Sequence, residues 1–258
     1  MLGFFFVHPT LFHIGSLSVK TYGLMMAIAF ISAIILARRR AKKAGLDPRQ
    51  IEVICYALIG MGLLGTRVLY TFGENTRYYL THPIEFFYLH EGGLSFVGGL
   101  YFVVPTLFFL CRRKQLSFWT VVDILIPSVA LGLGIGKIGC LFAGCCFGKP
   151  CDLPWTIRFS DPDGLARPLD VGLHPAQIYE SLLWFSLFGV LLGFQKFRRF
   201  PGEMFLLFAA VYALVRPFLE SLRGEPRYVG NLTTVPFLSV PMILLTAGAW
   251  VYLRRRSI

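Results

Sequence analysis

Arg216, Glu220 and Arg223 are spaced so that all three side chains project from one face of a helix. Arg67 and Lys137 stand near the ends of two other apolar stretches. A charge at mid-bilayer costs at least ~2.5–3.5 kcal/mol on insertion scales, so such residues face a polar cavity or an interface. Gathered round one cavity, Arg67, Lys137, Arg216 and Arg223 would hold an anion, with Glu220 orienting Arg216. The cations outnumber the carboxylates, which favours a phosphate-bearing ligand, and the arginine fork suits that group. A phospholipid headgroup is the obvious anion at that depth. The bland reading is a structural Arg216–Glu220 ion pair, with the other basic side chains reaching out to headgroups.

Six cysteines divide by place. Cys55 and Cys111 fall inside apolar runs and read as small hydrophobes. Cys140, Cys145, Cys146 and Cys151 cluster in one Gly-rich segment, where disulfide or plain packing, a reactive thiol and a metal site all stand open. Their spacing matches no zinc signature, so no metal is assigned. Gly134-Ile-Gly136-Lys-Ile-Gly139 matches a dinucleotide-binding motif by letter only. That motif follows a soluble strand, whereas this run ends an apolar span, where glycines suit close helix packing and a turn. Ile138 after Lys137 excludes a Walker phosphate loop. No cofactor is expected.

The elements that must carry these residues are legible in the composition. Of 258 residues, 55% are hydrophobic and 15% charged, with mean hydropathy +0.64; an average soluble domain carries about 25% charge. Seven stretches are long enough to cross a bilayer: 19–37, 51–72, 95–111, 118–137, 176–195, 203–222 and 234–253. A single all-α, polytopic transmembrane domain over 1–258 follows, because lipid offers no partner to an open strand edge. Residues 1–18 read as an apolar segment lying at the interface. The formal charge of +11 sits in clusters at 38–43, 112–114, 196–199 and 254–256, after the first, third, fifth and seventh spans. The positive-inside rule makes that side cytoplasmic, the N-terminus external and the C-terminus internal. No basic groove points to nucleic acid. Loops 73–94, 138–175 and 223–233 are then exterior, the second long enough for a small cap.

Six blocks resemble the prolipoprotein diacylglyceryl transferase family over nearly the whole chain. They are Tyr22-Gly23-Leu24; Gly65-Thr66-Arg67 with Tyr70; Glu91 to Gly99; Asp123 to Gly148, with its GCLFAGCCFGKP run; His174 to Glu180, similar to HPxQxYE; and Arg216 with Glu220 and Arg223. The resemblance implies transfer of a diacylglyceryl group from phosphatidylglycerol to the lipobox cysteine thiol of a preprolipoprotein signal peptide, releasing glycerol phosphate. It implies a multi-pass protein of the bacterial inner membrane, with its site toward the outer leaflet. On that basis Arg216, Lys137, Glu220 and His174 are the catalytic candidates. Tyr22, Arg67, Gly98, Gly99, Gly148, Gln177, Tyr179 and Arg223 are the substrate-binding ones. The chain departs from the family at Val97, where SFHGG members have histidine, and at Lys137, Cys140 and Cys145. The proton acceptor is therefore His174 or an unassigned carboxylate. Two rivals are a transferase using the same lipid donor on another acceptor, and a lipid transporter or binding protein.

Overall fold

The computed structural model describes residues 9–14, 17–73, 76–87, 95–167, 169–224, 228–229 and 232–256. Helices form over every stretch that hydropathy marks: α1 Thr21–Lys43, α2 Pro48–Gly73, α4 Phe96–Arg113, α5 Phe118–Ala143, α6 Ala176–Phe194, α7 Glu203–Ser221 and α8 Thr234–Arg256, with a short α3 at Thr76–Thr81. Five of the described helices (α1, α2, α5, α6 with its following turn, and α7) are long and apolar enough to cross a membrane. The protein is thus of the all-α membrane class. Two small hairpins accompany the helices, β1 Thr10–Ile14 with β2 Leu17–Lys20, and β3 Tyr228–Val229 with β4 Leu232–Thr233. The first falls partly within the segment expected to lie at an interface; its Thr10 hydroxyl accepts a hydrogen bond from Lys20 Nζ at 2.9 Å.

The chain divides into two compact units, residues 37–121 and residues 1–36 with 122–258. In the smaller unit, α2 and α4 touch through glycine. A Cβ on Gly98 would collide with the Gly65 carbonyl and reach Leu69 Cβ at 2.5 Å; one on Gly99 would meet Thr66 Cγ2 at 3.0 Å. Gly98 and Gly99 therefore serve helix packing here. Glu91 to Leu94 of the same block lie outside the described residues.

In the larger unit, α5 runs on to Ala143, six residues past the expected end at 137. The Gly-rich run does not break it, because those glycines are contact points. A Cβ on Gly139 would lie 3.0 Å from Met25 Cβ and 3.3 Å from Tyr22 Cδ2 on α1, and one on Gly134 would lie 2.8 Å from the Phe185 ring on α6. Ser181 Oγ donates to the Gly134 carbonyl at 2.9 Å across the same contact. Asp123, fully buried on α5, accepts from the Gly202 and Phe205 amides at 2.7 and 3.1 Å and so caps the start of α7. Between α6 and α7, Trp184 stacks on Phe208 and Tyr212, with ring centroids 5.6 and 5.9 Å apart.

After α5 the chain turns through Gly144, whose φ of +71° brings its backbone against Ala166. Residues 144–175 then form the cap, packed on Leu141, Ile157, Phe159, Ala166 and Leu173. Its first strand-like stretch is clasped from both sides. The Gly148 amide donates to the His174 carbonyl at 3.0 Å, and the Lys149 amide to the Leu222 carbonyl at 2.8 Å. Any side chain on Gly148 would strike His174 and would reach the Leu222 carbonyl at 2.9 Å.

Candidate functional site

The clasp brings four pieces of chain together: the end of α5, the start of α6, the end of α7 and the cap strand. Charges converge where they meet. Lys137 Nζ lies 2.7 Å from Glu180 Oε2, and Arg216 Nη1 lies 3.8 Å from the same oxygen. Arg216 Nη2 donates to Glu220 Oε2 at 2.7 Å, the helical pairing expected from their spacing. Arg223 reaches Glu180 Oε1 at 3.7 Å and Glu220 Oε2 at 3.9 Å. Among the described residues, three cations thus meet two carboxylates, a formal surplus of one positive charge.

Burial differs between the two signs. The Glu180 and Glu220 side chains are 3% and 2% exposed, whereas those of Lys137, Arg216 and Arg223 are 15–19% exposed. The carboxylates form the floor and the cations the accessible face. A bare buried charge is costly, so each carboxylate holds its cations in place, and the cations keep hydrogen-bonding capacity for a further anion. Among the described residues, Arg223 Nε and Glu180 Oε1 are buried without a hydrogen-bond partner, as are Gln177 Oε1 and His174 Nδ1. Buried polar atoms are normally satisfied, so four unsatisfied ones in so short a stretch of structure point to a polar ligand.

Beside Lys137 a cavity of ≈ 230 Å³ opens between α5 and α6. Lys137, Gln177 and Ser181 are its polar members, and Ile138, Leu141, Ile178, Leu182 and Phe185 give it an apolar wall. Its surface is almost wholly apolar, which suits the hydrocarbon part of a lipid.

The remaining candidates are placed as follows. Gln177, fully buried, donates from Nε2 to the Cys145 carbonyl at 2.8 Å and so braces the turn after α5. Tyr179 accepts from Trp155 Nε1 at 2.7 Å, and its ring meets His174 edge-on at 6.3 Å. Tyr22 lies on α1 against Gly139. Arg67 belongs to the smaller unit, where Nε donates to the Phe86 carbonyl at 2.8 Å, Nη2 donates to the Glu85 carbonyl, and the guanidinium covers the Tyr79 ring. Val97, at the position of the family histidine, is about half exposed in the first turn of α4.

Two features escaped the sequence reading. Glu180 is the hub of the charge network, a role its place in the His174 to Glu180 block did not assign to it. The available signal was a lone carboxylate within an otherwise apolar span. The second is that Cys140, Cys145 and Cys146 converge, with all three sulfurs within 4.8 Å of one another. Hydrogen bonds from Cys140 and Cys145 hold the Cys146 thiol well below its ordinary pKa; the positive charges of Lys137 and Arg223 act in the same direction. The Cys145 thiol is pushed up by its hydrogen bonds with Cys140 and Cys146 and by burial.

The sequence profile described as prolipoprotein diacylglyceryl transferase matches residues 9–252. Three relatives carry the name phosphatidylglycerol–prolipoprotein diacylglyceryl transferase. That of Bordetella parapertussis is 34% identical, covering 96% of both chains. That of Geobacter sulfurreducens is 35% identical, covering 98% of this chain and 97% of the relative. That of Clostridium tetani is 32% identical, over 95% and 96%.

Proposed function

The chain belongs to the prolipoprotein diacylglyceryl transferase family, and from that premise we propose that it transfers a diacylglyceryl group from phosphatidylglycerol to the thiol of a lipobox cysteine. The observation that carries the reading at this chain's own residues is the network of Lys137, Arg216 and Arg223 on Glu180 and Glu220, with its surplus positive charge beside an apolar cavity.

The phosphate of the donor lies on the cationic face, with Arg216 as the principal contact and Lys137 and Arg223 beside it. The donor's acyl region enters the slot between α5 and α6, whose volume suits part of one chain. The acceptor sulfur attacks the glyceryl carbon that bears the phosphate ester. An S–C bond forms, the C–O bond breaks, and the electron pair departs on glycerol phosphate. Charge therefore grows on the phosphate oxygen as the bond breaks, and preorganised cations at that oxygen lower the barrier most. Glu220 orients Arg216, and Glu180 spaces all three cations. His174, with its unpartnered buried Nδ1, takes the thiol proton. Tyr22, Gln177 and Tyr179 border the glyceryl region.

Seven spans, with the N-terminus external and the C-terminus cytoplasmic in the bacterial inner membrane, complete the reading. Basic residues close α1, α4 and α8 and occupy the turn after α6, as the positive-inside rule asks of cytoplasmic ends. Glu180 stands at the opposite end of α6 from that basic turn. The helix has 19 residues, about 28 Å of rise, which supports a site toward the outer leaflet.

The test is the purified protein in vesicles with a lipobox peptide. Phosphatidylglycerol vesicles are expected to add one diacylglyceryl mass to the peptide, and phosphatidylcholine vesicles none. No mass gain, where a relative from the same family succeeds, would overturn the assignment of acceptor.

A further inference from the structure

Cys140 closes the last turns of α5, and Cys145 and Cys146 follow in the turn that leaves it. Three independent features hold their sulfurs together. Gly144 and Cys146 both adopt left-handed backbone, at φ +71° and +59°; for cysteine that conformation is strained and persists only when the surroundings impose it. The Cys145 amide donates to the Cys140 carbonyl at 3.1 Å, folding the turn back on the helix end. Gln177, from α6, fixes the Cys145 carbonyl at 2.8 Å. The outcome is three thiols, none in a disulfide, within 4.8 Å of one another.

We propose that Cys140, Cys145 and Cys146 together hold a single thiophilic closed-shell metal ion, Zn²⁺ or Cu⁺. A metal–sulfur bond of ~2.3 Å puts the sulfurs of a three-thiolate site about 4 Å apart, inside the observed bound. Sulfur-only donors select these ions over hard cations. A disulfide would use two of the sulfurs and leave the third without a role, whereas an ion uses all three. Binding releases the thiol protons to solvent and involves no change of oxidation state. The site stands independently of the transfer reaction: it requires neither lipid nor peptide.

The experiment uses the full chain purified in detergent, stripped of metal under reducing conditions, then given Zn²⁺ alone, Cu⁺ alone, or Cd²⁺ as an optical probe. One ion per chain is expected to survive gel filtration, and Cd²⁺ is expected to produce a sulfur-to-metal charge-transfer band in the ultraviolet. Cys145→Ser and Cys146→Ser are expected to lose both, and Cys55→Ser to keep them. Should either serine variant fail to fold, thiol labelling of the unsubstituted protein decides. Bound Zn²⁺ is expected to shield Cys140, Cys145 and Cys146 from maleimide and to leave Cys151 reactive. Absence of retained metal, a band indifferent to both substitutions, or labelling unchanged by Zn²⁺ would each overturn the site.

Discussion

Lys137 Nζ sits 2.7 Å from Glu180 Oε2, joining the penultimate turn of α5 to the first turns of α6. The contact does more than pair two charges, because Arg216 and Arg223 approach the same carboxylate from α7 and the segment after it. Glu180 is buried and the cations are partly open, so the carboxylate sets where the positive face points. A rigid cationic face needs no reorganisation when charge develops on a leaving phosphate.

Glu180→Gln keeps the shape of the side chain and removes its charge, leaving three cations facing one carboxylate. Loss of a buried ion-pair partner costs about 3–5 kcal/mol, so the thermal midpoint in detergent is expected to fall. Added phosphatidylglycerol is expected to restore more stability to this variant than to the unsubstituted protein, since the bound phosphate replaces the missing negative charge. Thermal unfolding with and without the lipid checks both.

Arg216→Ala removes the principal phosphate contact. Turnover is expected to drop about 10²- to 10³-fold, as for loss of one donor at a developing oxyanion. Arg216→Lys restores charge without the fork and is expected to recover only part of that loss. Peptide mass gain over time measures both.

His174→Gln preserves the Cβ that packs on Gly148 and removes the imidazole. If the ring takes the thiol proton, turnover falls about 10²- to 10⁴-fold. With rates corrected for the folded fraction, the concentration of phosphatidylglycerol at half-maximal rate is expected to stay unchanged, which a lost lipid contact would not produce.

Asp123→Asn separates scaffold from site. Asp123 caps α7 through the Gly202 and Phe205 amides and pairs with Arg198 at 3.4 Å. Weakening that cap is expected to cost about 0.5–2 kcal/mol. Activity per folded molecule, measured after correcting for the folded fraction, is expected to stay the same.

Hydropathy and helical spacing were enough to place every long helix, and the Arg216–Glu220 pair follows from spacing alone. What they miss depends on backbone detail. The continuation of α5 through Gly139 to Ala143 rests on Tyr22, Met25 and Phe185 packing where those glycines have no side chain. The convergence of Cys140 with Cys145 and Cys146 rests on two left-handed residues that sequence does not announce. Glu180 was visible as a charge in an apolar span, but its meeting with Lys137 needs the α5–α6 contact. Arg67, grouped with the other cations by residue type, has its hydrogen bonds on the backbone carbonyls of Glu85 and Phe86 in the smaller unit.

Native mass spectrometry of the protein released from mixed vesicles reads lipid preference directly. Phosphatidylglycerol is expected to be retained over phosphatidylcholine and diacylglycerol, and the double variant Lys137→Gln with Arg216→Gln is expected to lose that preference while still carrying neutral lipid. Equal retention of phosphatidylglycerol by the double variant and the unsubstituted protein would contradict a phosphate held by these cations.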